Sequence, residues 1–222
     1  METESTLALD GGDVTVIKVV PDGASAMLVM SHGAGADIRH QHMASICEAL
    51  ATRDIATWRF NLPYMERGGG RTDRPEVCVA AFDAAVKAAR PEFDLPLLVG
   101  GHSFGGRMST HFAATHSDSP IAGVMCFSFP LHQPKKPDTK RAAHLPDIQV
   151  PVLFLSGTRD GMADEDLLES VAAGMPDAVV ARLETADHGF KILKRTRTNP
   201  ASVYDEAAEA ANTFVSRILA GQ

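Results

Sequence analysis

The sequence predicts an α/β fold, a mostly parallel sheet covered by helices on both faces, and three observations predict it. Short apolar runs alternate along the chain with longer segments whose apolar residues recur every three to four positions. The longer segments are amphipathic, and apolar strands alternating with amphipathic helices point to a mostly parallel sheet covered on both faces. Glycine-bearing and charged segments follow several of the runs, at the carboxyl edge where ligands bind in such sheets.

Val14 to Val20 and Ala26 to Met30 read as strands, and the turn-forming Pro21-Asp22-Gly23 between them predicts an opening hairpin. Between Arg39 and Thr52, Met43, Ile46, Cys47 and Leu50 make the stripe of a helix packed on one face. Ile55 to Phe60 follows as a buried strand, then a glycine-rich loop from Asn61 to Arg74. Pro75 opens a helix with Cys78, Phe82, Ala85, Val86 and Ala89 inward, and Pro91 follows its end. Leu95 to Gly100 is a short strand leading into a helix from about Ser103 to His116, and Ile121 to Phe127 is the next strand. Proline and charge without apolar periodicity mark Ser128 to Asp147 as a surface loop. Val150 to Leu155 is a strand, Asp164 to Ala173 a helix stopped by Gly174 and Pro176, and Ala178 to Leu183 the last strand. A closing helix over Ala201 to Leu219 turns Val203, Ala207, Phe214 and Ile218 inward.

A chain of 222 residues with 45% hydrophobic content suits one domain, residues 1–222. Its formal charge of −7 is spread without long acidic blocks, which argues against a nucleic-acid partner. Cys47, Cys78 and Cys126 are odd in number and lie in apolar-periodic segments, so they read as buried thiols of a reducing, cytoplasmic compartment. The first residues lack the pattern of a signal peptide, and no apolar run approaches the ~20 residues that span a bilayer, so no membrane partner is expected.

Gly101-His102-Ser103-Phe104-Gly105 fits G-x-S-x-G, which lifts a serine onto a sharp turn between strand and helix. The turn strains the serine backbone and needs small residues two positions before and after it, here Gly101 and Gly105. A serine hydroxyl is a weak nucleophile at neutral pH, so it requires a base within hydrogen-bond reach and a carboxylate to orient that base. Asp160 lies just beyond the strand Val150 to Leu155, and His188 just beyond the last strand. The order Ser103, Asp160, His188 is the one expected when a G-x-S-x-G serine works on such a sheet. Asp164, Asp166 and Asp187 are nearby alternatives for the acid, but Asp164 and Asp166 fall at a helix start, where capping explains them. An oxyanion needs backbone donors: the residue after the serine, Phe104, and a residue in the glycine-bearing loop after an early strand, Ala34.

Ser31-His32-Gly33-Ala34-Gly35-Ala36-Asp37, Trp58-Arg59-Phe60-Asn61-Leu62-Pro63-Tyr64 and Asp187-His188-Gly189-Phe190-Lys191 carry a resemblance. From Val14 to Leu219 the chain resembles the α/β-hydrolase superfamily, and more narrowly its small lidless branch. That branch holds dienelactone-hydrolase-like proteins and the hydrolase-like domain shared by a testis-expressed protein and a chromatin-complex subunit. The resemblance implies a Ser/Asp/His hydrolase without cofactor. Dienelactone hydrolases proper use a cysteine nucleophile; Ser103 departs from that pattern and favours ester or thioester hydrolysis in general. Only Ser128 to Asp147 is available where related enzymes insert a cap, so the expected mouth is open, bordered by Tyr64, Met65, Phe104, Phe129, Leu131 and Phe190. Lysines and arginines in that loop and after His188 read as solvated surface.

Gly33-Ala34-Gly35-Ala36-Asp37-Ile38 has Ile38 where a dinucleotide fingerprint needs glycine, and no H-E-x-x-H pair occurs, so neither nucleotide cofactor nor catalytic metal is expected. The sequence therefore points to a serine hydrolase acting on a small acyl substrate, as monomer or homodimer. The rival reading keeps the fold as a binding or scaffold module.

Overall fold

In the computed structural model, which describes residues 2–221, eight strands form one sheet in the order β1-β2-β4-β3-β5-β6-β7-β8. The strands are β1 (Glu2–Leu7), β2 (Val14–Val19), β3 (Ala26–Ser31), β4 (Ile55–Phe60), β5 (Leu97–His102), β6 (Gly123–Phe127), β7 (Val152–Gly157) and β8 (Ala178–Leu183). The helices are α1 (Gln41–Ala51), the one-turn α2 (Pro63–Glu66), α3 (Pro75–Ala89), α4 (Phe104–Thr115), α5 (Glu165–Ala173) and α6 (Val203–Ala220). From β4 to β8 every neighbouring pair is parallel; β1 and β2 join antiparallel.

The expected opening hairpin is not formed. Val14–Val19 pairs instead with Glu2–Leu7 on one side and with β4 on the other, while Ala26–Ser31 lies parallel between β4 and β5. Pro21-Asp22-Gly23 is thus a crossing between non-adjacent strands. Ala26–Ser31 is buried throughout and can be satisfied only in the sheet interior, flanked on both sides. Part of the Asn61–Arg74 loop is helical, because Pro63 at the first helical position presets the turn of α2.

Successive strand residues face opposite sides and build two cores. Met27 and Val29 of β3, with Leu97 and Val99 of β5, meet α3, α4 and α5. Leu28, Met30 and Leu98 meet α1 and α6. All three cysteines are free and buried in these layers. Among the described residues, no helix is long and apolar enough to cross a membrane.

The segment after β6 contains short 3-10 turns at Lys140–Ala142 and Leu145–Asp147 and no helical domain. It is less superficial than its composition suggests, for Phe129, Leu131, Ala142 and Leu145 are all buried in the core. Arg141 braces it by donating to the carbonyls of Pro130 and His132, both at 3.2 Å. The carboxyl ends of β3, β5, β7 and β8 deliver the loops bearing Ala34, Ser103, Asp160 and His188 to one edge.

Candidate active site

Ser103 stands between β5 and α4 with φ 50° and ψ −111°, a region that side-chain-bearing residues rarely occupy. Close packing keeps it there. A Cβ on Gly101 or on Gly105 would fall on the Ser31 carbonyl oxygen, so β5 and the first turn of α4 press against the end of β3. Ser103 N–H donates to the Phe127 carbonyl at 2.9 Å, Gly105 N–H to the His32 carbonyl at 2.9 Å. The motif's glycines are therefore explained by contact with backbone, which cannot move aside.

His188 Nε2 lies 2.8 Å from Ser103 Oγ, and His188 Nδ1 lies 2.8 Å and 3.0 Å from the two Asp160 carboxylate oxygens. Nδ1–H donates to Asp160, leaving the Nε2 lone pair for the serine hydroxyl. The Asp160 side chain is 0% exposed and that of His188 24%, so the acid is sealed while the imidazole opens toward solvent. Asp160 is fixed from behind by the Met162 N–H, which donates to Oδ1 at 2.8 Å.

The alternative acids are engaged elsewhere. Asp164 caps α5 by accepting from Leu167 N–H at 3.1 Å, and Asp166 lies in its first turn. Asp187 closes the turn after His188 by accepting from Gly189 and Lys191 N–H groups.

The loop after β3 is held by two side chains whose roles the sequence did not disclose. Buried His32 bridges its own loop to the next one: Nδ1 donates to the Gly33 carbonyl at 2.8 Å while Nε2 accepts from Leu62 N–H at 3.0 Å. Burial lowers its pKa and keeps it neutral, which that donor–acceptor pattern requires. Tyr64 hydroxyl donates to the Ala34 carbonyl at 3.1 Å and lies 3.4 Å from that of Gly33. A trans peptide points its N–H opposite its carbonyl. With the Gly33 carbonyl turned to His32 and Tyr64, the Ala34 N–H of the same peptide faces the other way. No protein acceptor is found among the described residues for the Ala34 or Phe104 N–H, and a Cβ on Gly33 would come within 3.6 Å of Ser103 Cβ. A histidine followed by glycines after a strand, with tyrosine beyond the next strand, is the only sequence trace of this brace.

The expected mouth needs correction. Phe129, Leu131 and Phe190 are 1%, 0% and 3% exposed and lie beneath the surface, not on it. Phe129 packs edge-on against Phe154 of β7. Phe190 sits between His42 of α1 and Tyr204 of α6 and anchors the His188 loop to that face. Tyr64 is likewise buried, with its hydroxyl against the loop after β3, while Met65 and Phe104 remain partly exposed, Phe104 against the Tyr64 ring. Lys135, Lys136, Lys140, Lys191, Lys194 and Arg195 are exposed, and Arg197 pairs with Glu206.

A family model described as an alpha/beta hydrolase domain matches residues 24–216. The chain belongs to the α/β-hydrolase family. Among solved structures it is similar to Est1E from Butyrivibrio proteoclasticus, at TM-score 0.76 and 15% identity over 98% of this chain and 99% of that one. It is also similar to a dienelactone hydrolase from Anabaena variabilis, at TM-score 0.74 and 17% identity over 98% and 97% of the two chains. XC6422 from Xanthomonas campestris, described as a serine hydrolase without lid, gives TM-score 0.69 and 16% identity over 99% and 94%. These likenesses establish a shared small, capless α/β-hydrolase fold.

Proposed function

We propose that the protein is a serine hydrolase that cleaves a small carboxylic ester or thioester through an acyl-enzyme. The observation that carries this reading is the unbroken hydrogen-bonded chain from Ser103 Oγ through His188 to sealed Asp160, on a strained elbow. Ser103 Oγ attacks the acyl carbonyl as His188 Nε2 takes its proton, and Asp160 stabilises the imidazolium. The oxyanion is held by the N–H groups of Ala34 and Phe104, the latter at the positive end of α4. His188 returns the proton to the departing alkoxide or thiolate; a water deprotonated by His188 then releases the acid and frees Ser103.

The substrate is small or presents an extended acyl chain. The segment after β6 tucks its large side chains into the core rather than raising a lid, leaving partly exposed Phe104 as the apolar side chain next to Ser103. Turnover of short-chain p-nitrophenyl esters and matched thioesters, compared between the wild type and Ser103→Ala, tests the reading. Activity lost with the serine is expected. Turnover of none of them by folded protein would favour a binding module.

A further inference from the structure

The variable residue inside the elbow motif, His102, makes a contact that the catalytic scheme does not use. Its Nε2 lies 3.0 Å from the main-chain carbonyl oxygen of His188, with the two imidazoles 5.5 Å apart. A carbonyl only accepts, so His102 Nε2 carries the proton and donates it. His188 is thus gripped twice: Asp160 holds its ring, and His102 holds its backbone.

The grip is built with some rigidity. The His42 ring stands edge-on to His102 at 4.4 Å, and its Nδ1 lies 3.0 Å from the Tyr204 hydroxyl, so α1 and α6 back the His102 ring. On the other side Gly33 passes so close that a Cβ there would lie 3.0 Å from His102 Nδ1. His102 stands one residue before Ser103, and its backbone is tied to β6 by the sheet. Moving the His188 main chain away from the serine's strand therefore stretches a well-backed hydrogen bond of ordinary length, 3.0 Å. Burial pulls the His102 pKa down to about 4, so near neutral pH the ring stays uncharged and keeps the form that donates from Nε2.

Building on the serine-hydrolase reading, we propose that His102 is a positioning residue that latches the His188 backbone and so sets the distance from His188 Nε2 to Ser103 Oγ. Its position before the serine is thereby part of the machinery, linking the nucleophile's own strand to the base's loop. The oxyanion loop, through Gly33, shares the same ring.

Substituting glutamine and asparagine tests it, because the glutamine amide nitrogen reaches to about where Nε2 stands and the asparagine nitrogen only to about Nδ1. With a short-chain p-nitrophenyl ester, His102→Asn is expected to lower kcat at least tenfold with KM within twofold of wild type. His102→Gln should recover kcat to within about threefold. The rate of fluorophosphonate labelling should fall in parallel in the asparagine variant, since it reports serine activation without a substrate pocket. Thermal unfolding of both variants tells a lost fold from a lost latch. Equal kcat in the two folded variants, or a loss confined to KM, overturns the latch. If His102→Asn does not fold, a His102→Gln enzyme that folds but runs more than tenfold below wild type overturns it as well. Failure of the wild type to label at all would instead overturn the serine-hydrolase reading beneath it.

Discussion

Replacing Asp160 by asparagine keeps the shape of the side chain and should nevertheless disable the base. Oδ1 accepts from Met162 N–H at 2.8 Å, so an amide there must place its oxygen on that side to avoid leaving a buried N–H without partner. The amide NH2 then occupies the position of Oδ2, 2.8 Å from His188 Nδ1. At this closer of the two contacts, the other being Oδ1 at 3.0 Å, the amide donor favours an accepting Nδ1, which shifts the imidazole proton toward Nε2 and aims it at Ser103 Oγ, 2.8 Å away. The base presents a proton where it needs a lone pair. Where this tautomer reversal has been made in triads, kcat drops about 10⁴-fold, equivalent to about 5.5 kcal/mol of lost transition-state stabilisation. The assay is steady-state hydrolysis of a short-chain p-nitrophenyl ester at pH 7.5, with circular dichroism and thermal unfolding on the same sample. A folded Asp160→Asn enzyme is expected to lose at least 10³-fold in kcat. Retention of more than a tenth of wild-type kcat would refute the assignment of Asp160 as the residue that fixes the His188 tautomer.

Further expectations concern the elbow, the rim and pH. Gly105→Ala sets a Cβ on the Ser31 carbonyl, and overpacking of this kind should lower unfolding free energy by about 1–3 kcal/mol in urea titration; an unchanged midpoint would contradict the packing described. Phe129→Ala should cost about 3–5 kcal/mol of stability with KM unchanged, because the ring is core and not mouth; a selective rise in KM would reverse that placement. Tyr64→Phe retains the buried ring but frees the Ala34 carbonyl, and kcat should fall by up to about tenfold, the worth of one hydrogen bond. Burial holds His144 at about 3 in the folded state against 6.5 for the free side chain. Such a depressed value means that its stability contribution is complete above pH 6.5 and is lost as pH falls from there toward 3. Urea midpoints measured between pH 7.5 and 5 should therefore decline less steeply for His144→Gln than for wild type.

Ser103, Asp160 and His188 were readable because strands and helices alternate regularly, so each residue could be placed just beyond a strand end. The elbow glycines were readable for the same local reason. β1 was not, since Glu-Thr-Glu-Ser-Thr offers no apolar face; it holds the sheet edge through backbone pairing and through ion pairs such as Glu2 with Arg59. The hairpin expectation failed because a good turn signal says nothing about which strands become neighbours, and full burial of Ala26–Ser31 placed it centrally instead. Phe129, Leu131 and Phe190 were misplaced for a related reason. In a segment without periodicity the sequence cannot tell an inward ring from an outward one. His32 and Tyr64 carry their function in partners far along the chain, and only folding brings those partners together.

The activated serine is tested most directly by incubating the folded protein with a fluorophosphonate and locating the adduct by peptide mass spectrometry. One phosphonyl group on the peptide containing Ser103, absent in Ser103→Ala and greatly slowed in His188→Ala, is the predicted result. Folded protein that stays unlabelled, or carries the label on another residue, would contradict it.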